Sequence, residues 1–165
     1  MLEHTDRSEK IKELVFQKLS ESVHTDVKNG IIHLSGVAYL SGYIALKRDL
    51  NIELCICAGF LHDLWLYYNM PLHPIVHEKH GHNGSELAMG ILKETGLYND
   101  DEMEIICRMI YNHNDKRIIH DEYSEALKDA DVLQHYLNNS EYDKKYNDHG
   151  RLERLIQNNI NNEKK

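Results

Sequence analysis

A chain of 165 residues, 41% hydrophobic and 28% charged, is long enough for one globular domain with a sizeable core. Its formal net charge of −8 argues against general nucleic-acid binding, which needs a basic surface. It does not exclude a phosphorylated substrate, whose charge a bound cation offsets locally.

No apolar run is long enough to span a bilayer, and the polar N-terminus lacks the apolar stretch of a signal peptide. A cytoplasmic protein without membrane contact is expected. The three cysteines, Cys55, Cys57 and Cys107, show no zinc-type pairing. Cys55 and Cys57 lie two apart and so face different sides of a helix, which suits small core hydrophobes better than redox sensors. Twelve histidines is a high count, and His73, His77, His80 and His82 fall within ten positions. That density marks either a metal site or an exposed polar loop.

Long proline-free segments rich in Glu, Lys, Leu and Ile predict an all-α chain of about six to seven helices. Ile11, Leu14, Val15 and Leu19 share one face of a first helix over Ser8–Val23, with Ser8 as N-cap. Lys28-Asn29-Gly30 reads as a break before a second helix from about Ile31 to Leu50, whose inward face carries His33, Val37 and Ile44. Asn51 caps a third helix that is apolar on all sides from Ile52 to Leu61 and ends in His62-Asp63. A helix of that kind is buried, and a buried imidazole and carboxylate are costly without partners.

Tyr67 to Lys79 reads as a loop, through Asn69, Pro71 and Pro74, and the place of its Pro71 to Lys79 part between candidate ligands suits a lid. A helix follows from about His80 to Thr95, closed by Gly96. Asp100 or Asp101 opens the next, which runs to His113. Asn114 to Asp121 is a loop, and Ala126, Leu127, Ala130, Leu133 and Leu137 mark a helix that contains Asp131. A weakly amphipathic segment from Gly150 to Ile160 ends the chain, either packed on the domain or supporting a homodimer. The expected division is a helical domain over 1–150 with a C-terminal helix and frayed tail over 151–165.

Candidate ligands thus fall at the ends of separate helices: His33, His62 with Asp63, His80 and His113, with Asp131 inside a further one. Imidazoles and carboxylates together suit divalent Mn, Fe, Ni or Zn, with Mg at an oxygen-rich position.

The order His33, His62-Asp63, Asp131 resembles the H…HD…D signature of the HD-domain superfamily of metal-dependent phosphohydrolases. Ala58-Gly59-Phe60-Leu61-His62-Asp63-Leu64 is similar to the run into that family's HD dipeptide. Lys128-Asp129-Ala130-Asp131-Val132-Leu133 is similar to its terminal motif, in which the second aspartate is the ligand. His80, four residues before Gly84-Ser85, and His113, at a helix end, resemble the two added histidines of members with two metals. The resemblance covers roughly residues 25 to 137.

By this resemblance His33, His62, Asp63 and Asp131 would hold one divalent metal, and Asp63 would bridge to a second held by His80 and His113. The alternative for His80 and His113 is contact with substrate phosphate over a single metal. Asp63, His80 and His113 become the expected catalytic residues of a phosphohydrolase that acts through a metal-activated water. The expected partner is a small phosphorylated substrate, a nucleotide first. Lys79, His82, Lys116 and Arg117 are the substrate-binding candidates, with His77 a weaker one; for Lys116, Arg117 and Lys79 a solvated loop is the competing reading.

The missing Gly-Tyr-Pro motif after His113 speaks against the cyclic-di-GMP phosphodiesterase branch, and the length against the large dNTP triphosphohydrolases. Small stand-alone bacterial HD hydrolases remain. A phosphodiesterase using the same site, or a non-catalytic metal- or nucleotide-binding sensor, are the alternatives. A helical interaction module without metal leaves the inward His33, His62, Asp63 and Asp131 unexplained.

Overall fold

The computed structural model describes residues 3–22, 27–69, 80–138 and 150–161. Eight helices follow one another there: α1 (Glu3–Glu21), α2 (Val27–Lys47), α3 (Ile52–Leu61), α4 (Leu64–Asn69), α5 (His80–Thr95), α6 (Asp100–Asn112), α7 (Glu122–Asn138) and α8 (Arg151–Asn161). No strand occurs among the described residues, and the domain is all-α.

The apolar helix α3 lies at the centre, packed on α1, α2, α4, α6 and α7. Its start is set by Asn51, whose side-chain oxygen accepts from the backbone N–H groups of Glu53 and Leu54 at 3.1 and 3.2 Å. Leu54, Cys55, Cys57, Ala58, Phe60 and Leu61 are all buried. Glu53 is buried too and is held by Arg7 of α1. Arg7 also pairs with Glu102 of α6 at 3.0 Å and lies over the Tyr98 ring, so a single guanidinium ties three helices together.

Gly59 sets how near α2 can come. A Cβ there would sit 2.4 Å from the Ala38 Cα and 2.7 Å from the Ala38 nitrogen, both backbone atoms that cannot step aside. That contact brings the second turn of α2, with His33, against the C-terminal end of α3. α6 opens with a reciprocal capping box between Asn99 and Glu102. Asp121 caps α7 through the Ser124 backbone N–H at 3.2 Å.

Several helix bounds differ from the sequence expectation. α1 begins at Glu3, so Ser8 is a buried residue inside it rather than its N-cap. α2 begins at Val27, and Lys28-Asn29-Gly30 forms its first turn instead of a break. Glycine costs a helix about 1 kcal/mol there, but its bare Cα makes room for the Tyr67 ring, which a Cβ would meet at 2.8 Å. Tyr67 itself belongs to α4, a short helix in place of the expected loop. Buried Leu64 and the half-buried residues 65–68 give that segment enough contact to stay helical. The expected lid, Pro71 to Lys79, falls in residues 70–79, outside the described residues. α8 packs on α7, burying Leu152 and Leu155.

Two stability tests follow. Gly59→Ala is expected to lower unfolding stability by about 3 kcal/mol through overpacking. Gly90→Ala, on the open side of α5 with nothing within 4 Å of a new Cβ, is expected to raise it by about 0.5–1 kcal/mol. Chemical denaturation of both variants measures the difference. The three cysteines are free and buried. Burial pushes the Cys55 and Cys107 thiols up to about 12 and about 11, and the Cys57 thiol higher still. A thiol-titrating disulfide reagent at pH 8 should therefore react slowly with the native protein and fully once it is denatured.

Candidate metal centre

α3 ends at Leu61, and His62 and Asp63 form the turn that leads into α4. This corner lies next to the second turn of α2, the first turn of α5, the last turn of α6 and the middle of α7. Each brings one side chain to it. His33, His62, Asp63, His80, His113 and Asp131 are all buried, and they form one contiguous polar cluster.

The cluster has two halves that share Asp63. On one side, His33 Nε2 lies 3.2 Å from His62 Nε2, 3.5 Å from Asp63 Oδ2 and 3.4 Å from Asp131 Oδ1. On the other, Asp63 Oδ1 lies 3.5 Å from His80 Nε2 and 3.2 Å from His113 Nε2, and these two nitrogens are 3.1 Å apart. The two oxygens of Asp63 thus face two separate imidazole pairs.

The local chain fixes which nitrogen each ring offers. His62 Nδ1 donates to the Gly59 carbonyl at 2.7 Å, and His113 Nδ1 to the Ile110 carbonyl at 2.6 Å, each three residues back in its own helix. His33 Nδ1 donates to Gln134 Oε1 at 2.8 Å. With Nδ1 protonated, a neutral ring presents its Nε2 lone pair to the cluster, the arrangement that metal-ligating histidines use. Gly84 allows α5 to come close enough for His80 to join: a Cβ there would lie 2.9 Å from the His62 carbonyl.

Lone pairs and carboxylates packed this closely repel unless positive charge lies among them. Asp131 Oδ1 shows the deficit directly. It is buried and accepts no hydrogen bond, although imidazole nitrogens of His135, His33 and His62 stand 3.3, 3.4 and 3.9 Å away. Burial pushes the His62 imidazole down to about 3, so it is neutral near pH 7. Burial alone would also lower His33, but its hydrogen bond to Asp63 and the field of Asp131 raise it above the usual histidine value. Burial alone would raise Asp63 and Asp131. Instead the imidazoles around Asp63, and Lys116 beside Asp131, hold both far below the carboxylate range. Nitrogen and oxygen donors grouped in this way could hold a divalent cation.

The remaining expected residues divide. Asp129, two residues before Asp131, turns to Arg48 and Arg151 instead of the cluster. Lys116 reaches the site, but its ammonium is held by Asp131 Oδ2 and the His113 carbonyl, both at 2.6 Å. It positions Asp131 and does not point outward as a phosphate clamp. Arg117 is exposed on the neighbouring loop. His82 is 55% exposed and faces Glu86 and the Tyr111 ring. Standing roughly 200° around α5 from His80, it lies away from the cluster. His77 and Lys79 lie outside the described residues.

Two further residues of the site escape a reading of the sequence. Gln134 orients His33, and His135 sits with its ring 4.6 Å from the His33 ring and its Nε2 3.3 Å from Asp131. The signal that could have found them is helical spacing: Asp131, Gln134 and His135 stand at i, i+3 and i+4 on one face of α7.

An all-helical domain whose helix ends converge on His/Asp groups able to hold a metal defines the class of protein. Residues 30–136 match the HD domain, and the chain belongs to that family, whose members are in general metal-dependent hydrolases. No curated protein and no solved structure matches the chain.

Metal linkage is measurable without any substrate. Adding Mn²⁺ at about a hundred times its Kd should stabilise the protein by about 2.7 kcal/mol, seen as a rise in Tm that a chelator reverses. Asp63→Asn, which removes the charge shared by both halves, should abolish most of that rise.

Proposed function

We propose that the protein is a metal-dependent phosphohydrolase that cleaves a phosphomonoester or phosphoanhydride, with a nucleotide as the leading substrate class. The observation that carries this reading is Asp63, whose two carboxylate oxygens face two different sets of imidazole nitrogens 3.2–3.5 Å away. His33, His62, Asp63 and Asp131 would hold one divalent cation, and Asp63, His80 and His113 a second.

The chemistry supplied by divalent cations at such a site is Lewis acidity, which acidifies water and withdraws charge from a phosphoryl oxygen. The chain's own residues prepare for it. The Gly59 and Ile110 carbonyls keep Nδ1 of His62 and His113 protonated and aim Nε2 inward. Lys116 occupies Asp131 Oδ2 and leaves Oδ1 to the cluster. Burial lowers the local dielectric, so the ionised Asp63 and Asp131 interact strongly with any cation beside them. Phosphoryl transfer needs positioning and charge neutralisation more than covalent participation, which agrees with a cluster built without a serine or cysteine nucleophile.

The test is product analysis by chromatography, in Mn²⁺, over nucleoside mono-, di- and triphosphates, dinucleoside polyphosphates and cyclic nucleotides. Turnover of at least one member is expected, reduced by about a thousandfold or more in Asp63→Asn. Ring opening of cyclic nucleotides alone would replace the proposed reaction with phosphodiester cleavage. No turnover by a metal-loaded protein would overturn the enzymatic reading.

A further inference from the structure

A cavity of about 580 Å³ opens on a different face of α7 from the metal centre. Its walls carry five cationic side chains, Arg48, Lys116, Arg117, Arg151 and Arg154, in a chain whose formal net charge is −8. Among the described residues, two carboxylates share those walls. Asp129 is clasped by Arg48 and, at 2.6 Å, by Arg151. Glu125 receives Arg151 at 2.8 Å and Lys128 at 2.8 Å. Lys116 spends its charge on Asp131 and contributes its stem and carbonyl to this side.

Arg48, Arg151 and Arg117 alone outnumber those two carboxylates, and the arrangement has a rigid foundation. Arg151 is 5% exposed and donates to Asp129, to Glu125 and to the Lys116 carbonyl, yet its Nε is buried with no acceptor. Arg117 lies at the rim, exposed, and among the described residues its guanidinium meets no carboxylate. Guanidinium groups are planar forks matched to phosphate oxygens. Several of them around a concave volume of this size suit an anion larger than a single phosphate.

We propose that this cavity is a binding site for a polyphosphate group, carried either by a nucleotide or by a free inorganic polyphosphate. It is separate from the metal centre. Asp129 and Asp131 stand roughly 200° apart around α7, the first serving this cavity and the second the cluster. The proposal does not depend on the hydrolase reading, because the cationic side chains need no metal to bind an anion.

Calorimetric titration of inorganic tripolyphosphate into the full chain, with chelator present, tests it. Saturable binding is expected, weakening steeply between 50 and 200 mM salt as roughly three or more charge contacts are screened. Arg117→Glu and Arg154→Glu, both at exposed positions, should each weaken it by about tenfold or more, with an unchanged circular dichroism spectrum. Asp63→Asn should bind as the parent does. A parallel titration with ATP separates the sources: tighter binding of ATP assigns the site to nucleotides, and equal binding to the polyphosphate alone. No saturable binding, full affinity in both arginine variants, or loss of binding in Asp63→Asn would each overturn the assignment.

Discussion

Four imidazole nitrogens and two ionised carboxylates converge on a buried volume a few Å across, and the electrostatics of that convergence constrain everything around it. Each group is expensive to desolvate alone, and packed together their lone pairs repel. The protein meets part of the cost internally. Backbone carbonyls take the Nδ1 protons of His62 and His113, Gln134 takes that of His33, and Lys116 takes one oxygen of Asp131. The other oxygen of Asp131 and the inward Nε2 atoms belong to groups that could hold a cation. A metal held there would couple binding to stability through the same atoms.

Holding that arrangement requires helices whose ends are fixed to within fractions of an ångström. Two glycines set the approach. Gly59 lets the α2 backbone touch α3, and Gly84 lets α5 touch the turn after α3. Ion pairs lock the periphery on both sides. Arg7 joins α1, α3 and α6 through Glu53 and Glu102, while Asp129 joins the end of α2 to α7 and α8 through Arg48 and Arg151. Lys128, fully buried, ties the segment before α7 to that helix through the Ile118 carbonyl, His120 and Glu125. That segment carries Lys116, so a buried amine on the outer side of α7 helps aim a charge on the inner side.

The same helix, α7, therefore serves two electrostatic environments. Its inward face supplies Asp131, Gln134 and His135 to a site short of positive charge. Its other face supplies Glu125 and Asp129 to a cavity with positive charge in excess. Two acidic residues two positions apart diverge because a helix turns about 100° per residue, and Ala130 between them packs in the core.

Local physics makes much of this legible in the order of the amino acids alone. An all-round apolar stretch ending in His62-Asp63 is a buried helix with a polar terminus, and the spacing of His33 with Val37 and Ile44 puts that imidazole on an inward face. The candidate positions His33, His62-Asp63, His80, His113 and Asp131 are legible as a set at helix ends or on apolar faces, while the choice of His80 over its neighbours and of Asp131 over Asp129 comes from the resemblance to the HD family's motifs. What periodicity cannot express is a partner from elsewhere in the chain. Gly30 reads as a break until the Tyr67 ring is seen to fill the space beside it, and Tyr67 reads as loop until α2 gives it something to pack on. Lys116 looks like a free loop cation until Asp131, fifteen residues on, claims it. His82, read as a substrate candidate, is turned toward solvent by α5. Those outcomes belong to the tertiary structure, because each depends on which charge or ring comes within a few Å through space.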